Sequence, residues 1–177
     1  MRICTILGKG YEEIEAIGTL ALLKRSGLEA DLFGISGEKT SGKHDLPICG
    51  LLALDELQPE NYDCLHLPGG PHYVLLEESK QVKQIILKFK ELDKPIAAIC
   101  AAPTILGHLG LLKGKRYTCF TSMNEDFGGT YVDQYTVTDG NLITGRSAAA
   151  TIDFAFAIIE KLQGSAQKEL IQKQIYY

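Results

Sequence analysis

Apolar runs and helical stripes alternate along this chain. Residues 2–7 (RICTIL) are apolar without strict alternation, the pattern of a central strand buried on both faces. A helix is predicted over 12–26: Ile14, Ile17 and Ala21 recur at helical spacing, acids open it, Lys24 and Arg25 close it, and Gly27 stands at the stop. Residues 28–36 (LEADLFGIS) then read as a second strand. Strand, helix, strand this early predicts a parallel sheet with right-handed crossovers. The pattern continues with a strand at 62–70 (YDCLHLPGG), a helical region over 74–92, a strand at 95–100 (PIAAIC) and a helix over 102–110. A strand at 116–121 (RYTCFT), a hairpin over 135–145 signalled by Asp139-Gly140, and a long helix over 148–164 follow. Leu170, Ile171 and Ile175 predict an extra C-terminal helix within 165–177. The expected fold is a single-domain α/β sandwich, residues 1–177, with a mostly parallel sheet.

Composition narrows the function. The 177 residues are 45% hydrophobic and 23% charged, enough for one domain with a substantial core. A formal net charge of -4 and a pI near 5.6, with no dense Lys/Arg block, argue against nucleic acid or an anionic membrane as partner. The N-terminal apolar run is too short for a signal-peptide core and no stretch reaches spanning length, so the default expectation is cytoplasmic. Five cysteines, at 4, 49, 64, 100 and 119, lack disulfide or zinc spacing, and reduced thiols are expected. The four histidines form no metal spacing, and the Gly8-Lys9-Gly10 turn lacks the rest of a phosphate loop; no metal and no cofactor are expected.

In such a fold ligands sit beyond the carboxyl ends of the strands, where the loops at Gly8–Gly10, Gly69-Gly70 and 100–103 should meet. Cys100 falls where strand turns into helix (AAICAAPTIL). There a side chain stands above the sheet, and the helix's unpaired N–H groups favour a thiolate. A cysteine after "AAI" also suits a small core position, but the strand–turn–helix setting favours a nucleophile. Glu15 shares a helical stripe with Gly18, Thr19 and Leu22, a half-buried setting in which a carboxyl keeps its proton and can donate to a thiolate or oxyanion. Position alone serves equally well a carboxylate that merely complements the helix dipole. The amides of "LPGG" and of Ala101 offer an oxyanion pocket. His66 reads as a strand residue, His44 as a loop residue within reach of the site or a partner chain, and the other four cysteines as mainly structural.

Taken in order, GKGYEEIEA, LPGG, AAICAAPTIL and GRSAAATIDFAFAIIEKLQG resemble the ThiJ/PfpI superfamily over essentially the whole chain. The likeness is greatest to the branch of the parkinsonism-associated deglycase (DJ-one) and its bacterial relatives. The resemblance implies a flavodoxin-like three-layer sandwich, usually homodimeric, with Cys100 as reactive elbow cysteine and Glu15 as the protonated acid against its sulfur. It further implies that the amides of Gly70 and Ala101 stabilise an oxyanion and that Cys100 oxidises readily to a sulfinate. Phe120 stands where this branch often has a histidine, His44 where it has an arginine placed near the site across the dimer, and Arg25 retains another basic position. Ala101 replaces the histidine that follows the cysteine in the protease branch, and no downstream His-x-Glu pair serves an amidotransferase; both activities are disfavoured. The expected function is a glutathione-independent glyoxalase or deglycase acting on small reactive carbonyls or glycated groups. The alternatives are an oxidative-stress sensor or redox-regulated chaperone that works through oxidation of Cys100, and a holdase without chemistry.

Overall fold

The computed structural model describes residues 1–177. Its main sheet draws on seven strands: β1 (Arg2–Leu7), β2 (Glu29–Gly34), β5 (Leu52–Ala53), β6 (Cys64–Leu67), β7 (Ile96–Ile99), β10 (Thr136–Asp139) and β11 (Leu142–Gly145). They lie in the order β10-β11-β7-β6-β1-β2-β5. All neighbours run parallel except β10, which pairs antiparallel with β11 at one edge. Two small pairs lie outside: β3 (Lys39–Ser41) with β4 (Pro47–Cys49), and β8 (Arg116–Tyr117) with β9 (Thr130–Tyr131). The helices are α1 (Thr19–Arg25), α2 (Tyr73–Glu78), α3 (Lys80–Glu91), α4 (Ala102–His108), α5 (Thr151–Gln163) and α6 (Ser165–Gln174). This is the expected flavodoxin-like sandwich.

Alternation along the strands sorts side chains into two cores. Cys4, Ile6, Leu65, Leu67, Ile96 and Ala98 face one way, onto Leu76 of α2, Val82, Ile86 and Phe89 of α3 and Ile105 of α4. Ile3, Cys64, Ala97, Ile99 and Ile143 face the other, onto Leu23 of α1, Phe154 and Ile158 of α5 and Ile171 of α6. Both faces of the central strands are therefore dry, which is why their sequences show apolar runs and no alternation. Gln163 and Gln167 both donate to the Ser26 carbonyl, tying α5 and α6 to the end of α1.

Several elements differ from the sequence reading, each for a local reason. The helix expected over 12–26 opens with a π-helical turn, Ile14–Gly18, before α1. The Ile14, Ile17, Ala21 stripe that signals it faces outward, and Glu15, Ala16, Thr19, Leu20 and Leu23 are the buried set. The region over 74–92 divides at Ser79, whose extended backbone and side chain cap α3 through Val82 N–H. The strand expected at 116–121 shrinks to Arg116–Tyr117 outside the main sheet, and Cys119 is buried but not in a strand. In the hairpin the turn residues are Gly140-Asn141, one position beyond the Asp139-Gly140 signal, because Asp139 still pairs with Leu142. All five cysteines are free.

Candidate active site

Strand order reverses direction between β1 and β6, and β7 lies beside β6; the segments leaving these three strands converge. That crevice is where doubly wound sheets bind ligands. Gly8 N–H donates to His72 Nδ1 at 3.1 Å, and His72 Nε2 lies 2.8 Å from the Pro68 carbonyl. Since Nδ1 accepts, Nε2 carries the hydrogen and donates to Pro68; burial pulls this ring's pKa down to about 4, which keeps it neutral. His72 thus ties the end of β1 to the turn after β6.

Cys100 has φ 63°, a left-handed conformation that costs a non-glycine residue about 1–2 kcal/mol. Its N–H donates to Gly145 O at 2.9 Å, and its carbonyl accepts from Phe120 N–H at 2.8 Å, so the strained elbow is held from both sides. Small Ala101 and Ala102, then Pro103 in the first turn of α4, let the helix begin at once. Thr104 Oγ1 donates back to Ala101 O at 2.7 Å.

Glu15 is fully buried on the π-helical turn, a distortion common at functional positions. Gly69 N–H donates to its Oε2 at 2.8 Å, while Oε1 is buried without a conventional hydrogen bond and its carboxyl is set against the Cys100 thiol. Burial raises the carboxyl pKa to about 7, against the opposing pull of Cys100 and of the Gly69 amide. Burial, and then the Glu15 charge, push the Cys100 thiol well up, while the backbone N–H groups of Ala101 and Gly70 oppose that rise. Two negative charges in this space repel, so near neutral pH the pair retains a shared proton. With that proton on Glu15, the carboxyl and both amides can face a sulfur anion.

The close fit depends on the two glycines. A Cβ on Gly69 would lie 2.6 Å from both Cys100 Cβ and Glu15 Oε2. Gly70 has φ 97°, and a Cβ there would meet Glu12 N at 2.4 Å and Gly10 O at 2.6 Å.

Cys100, Glu15, Gly70 and Ala101 line one cavity of about 460 Å³. Tyr73, Val74, Phe120 and Met123 supply its larger apolar side chains, Ser147, Ala148 and Ala149 its small ones, and Glu12 and Lys43 its rim. Lys43 Nζ is 3.5 Å from Glu12 Oε2. His44 lies next to this rim, exposed, with Nε2 3.9 Å from Glu12 Oε1, and does not line the cavity. Arg25 is exposed at the far end of α1, roughly 15 Å along the helix from Glu15, and the structure does not bring it to the site. Glu12, Glu13 and His44 place donor atoms within 4.8 Å of one another, but Lys43 and the His44 N–H, 2.7 Å from Glu13 Oε1, already serve these carboxylates. His66 is a buried strand residue with Nδ1 3.1 Å from Thr5 Oγ1. Sequence reasoning missed His72, Lys43 and Met123; only His72, two residues after the glycine pair, stood near a legible motif.

Residues 1–161 match the DJ-1/PfpI family. Over 173 residues the chain is 34% identical to the DJ-1beta protein of Drosophila melanogaster, spanning 95% of this chain and 92% of that one. A deglycase of Thermococcus kodakarensis is 32% identical over 149 residues, 82% of this chain and 90% of its own. The crystal structure of Drosophila melanogaster DJ-1beta has a TM-score of 0.91 to this fold, covering 99% of this chain and 97% of that one at 32% identity. No helix is long and apolar enough to cross a membrane. Sequence, topology and coverage agree, and the chain belongs to the DJ-1/PfpI family.

Proposed function

We propose that this protein is a cysteine-dependent enzyme that converts reactive 2-oxoaldehydes to hydroxy acids without glutathione, the glyoxalase or deglycase chemistry. The observation that carries this reading is the pairing of the strained, cavity-facing Cys100 with a buried carboxyl whose pKa is raised to about 7. An acid–base group is most effective when its pKa lies near the working pH. The Cys100 thiolate adds to the aldehyde carbon, and the amides of Gly70 and Ala101 face the resulting oxyanion. The oxyanion takes the proton held on Glu15, and the carboxylate so formed removes the proton from that carbon and delivers it to the neighbouring carbonyl carbon. This leaves a thioester of the hydroxy acid, which water hydrolyses to free the thiol. Deglycases among the relatives support the same reading.

We also propose a homodimer formed through the face beside the cavity. Ile14, Ile17 and Ile152 are 53%, 43% and 42% exposed, and Ala148 and Ala149 line both this face and the Cys100 cavity.

The test of the enzyme reading is lactate formation from methylglyoxal without glutathione, comparing wild type with Cys100→Ser. Turnover that disappears in the variant supports the enzyme. Absence of lactate above background in the wild type removes this chemistry and leaves oxidation of Cys100 to a sulfinate, held by the same carboxyl and amides, as the leading role.

A further inference from the structure

The cavity is much larger than methylglyoxal requires: about 460 Å³ falls in the range, about 300–1,000 Å³, that accommodates far bulkier ligands. Its larger walls are Tyr73 and Val74 from α2 and Phe120 and Met123 from the segment after β8. Phe120 and Val74 are exposed despite being large and apolar. Phe120 is fixed relative to the nucleophile, since its own N–H donates to the Cys100 carbonyl at 2.8 Å. The one cation in the lining, Lys43, is matched by Glu12, and Glu15 is uncharged when it holds the shared proton. Such a site offers little to an anionic substrate and an apolar surface, at a set distance from the sulfur, to a hydrophobic substituent.

We infer that the preferred substrates are neutral 2-oxoaldehydes carrying an aryl or bulky alkyl group, and that Phe120 sets this preference. The inference rests on the cysteine-enzyme reading and specifies its substrate class. For phenylglyoxal, a sulfur–carbon bond forms at the aldehyde carbon, whose oxygen becomes the oxyanion. That oxyanion takes the proton held on Glu15, and the carboxylate so formed removes the hydrogen on that carbon as a proton and delivers it to the ketone carbon. The first carbon is thereby oxidised to the thioester level as the second is reduced to the alcohol, and no outside oxidant or reductant enters. Water breaks the sulfur–carbon bond, returns one proton to the Cys100–Glu15 pair, and releases mandelate with a second proton to solvent.

The experiment measures kcat and KM for phenylglyoxal and methylglyoxal with wild type, Phe120→Ser and Met123→Ser. Phe120→Ser removes a solvent-exposed ring and leaves the backbone bond to Cys100 available, and Met123→Ser tests the same wall independently. Wild type is expected to favour phenylglyoxal by about tenfold or more in kcat/KM, through KM, since even one methylene in an apolar pocket is worth about tenfold. Phe120→Ser should lower the phenylglyoxal-to-methylglyoxal ratio about tenfold, and Met123→Ser should lower it in the same direction. A wild type that favours methylglyoxal, or a ratio unchanged in both variants, overturns the substrate-class inference while the enzyme reading stands. Conversion of neither aldehyde by the wild type overturns both.

Discussion

Gly69→Ala tests whether the contact between Glu15 and Cys100 is the functional unit. Gly69 is not among the glycines of positive φ, so alanine adds a methyl group without left-handed strain. That methyl would lie 2.6 Å from Cys100 Cβ, 2.6 Å from Glu15 Oε2 and 2.9 Å from Ile99 O. Carbon–carbon contacts settle near 3.5–4.0 Å, so the cysteine and the carboxyl must part by roughly 1 Å. Overpacking of this kind costs about 1–3 kcal/mol of stability, which the fold can absorb. A displacement of about 1 Å at a reacting pair costs on the order of 100-fold in rate. Two assays read the effect: lactate formation from methylglyoxal, and site-resolved iodoacetamide alkylation across pH 6–9, with exposed Cys49 as internal reference. Turnover should fall about 100-fold. Cys100 alkylation should shift in its pH dependence relative to wild type, because the carboxyl that helps set the ionisation of the thiol is drawn away from it. A variant that stays folded with wild-type turnover and alkylation refutes the coupling.

Glu15→Gln should change how stability depends on pH. The folded carboxyl titrates at about 7 against an ordinary 4.5, so between these values the native state holds a proton that the unfolded chain has released. Stability from this group is complete below 4.5 and is lost as pH rises through 7, roughly 3 kcal/mol in all. Denaturant titrations from pH 4.5 to 8 should show glutamine gaining on wild type by that amount as pH rises, and parallel curves would refute the buried-acid assignment. His66 and His72, depressed to about 3 and 4, add stability as pH rises toward 6.5 in both proteins and cancel in the difference. Cys100→Gly should unfold about 1 kcal/mol harder than Cys100→Ala, since glycine relieves the φ of 63°; equal urea midpoints would mean that the elbow stores no strain. Ile152→Asp should convert a dimer to a monomer in sedimentation velocity, and a wild type that sediments as a monomer would dismiss the proposed interface.

The layer architecture and the place of the site were legible in the order of residues alone. Strands buried on both faces need uninterrupted apolar runs, and RICTIL, CLHL and IAAI have them. The elbow was legible because an apolar strand run ends at Cys100 and small Ala101 and Ala102 lead at once into Pro103, which suits the first turn of a helix. The sequence motifs also placed Cys100, Glu15, Gly70 and Ala101, which the fold brings to one cavity.

Which groups meet across long separations depends on packing in the folded chain. The face of the first helix is one case: its apolar stripe points outward, because the π-helical turn and the turn at Gly69 direct Glu15 inward, where an amide 54 residues away receives it. Two candidates of similar sequence character, His44 and Arg25, come apart because one follows a lysine at the cavity rim and the other ends a helix that points away. The bracing of two loops by His72, and the apolar wall of Phe120 and Met123, also depend on packing between segments far apart in the chain. Local patterns record which residues want burial or a turn, but the shift of a pKa and the shape of a cavity are set by neighbours that the linear sequence does not place together.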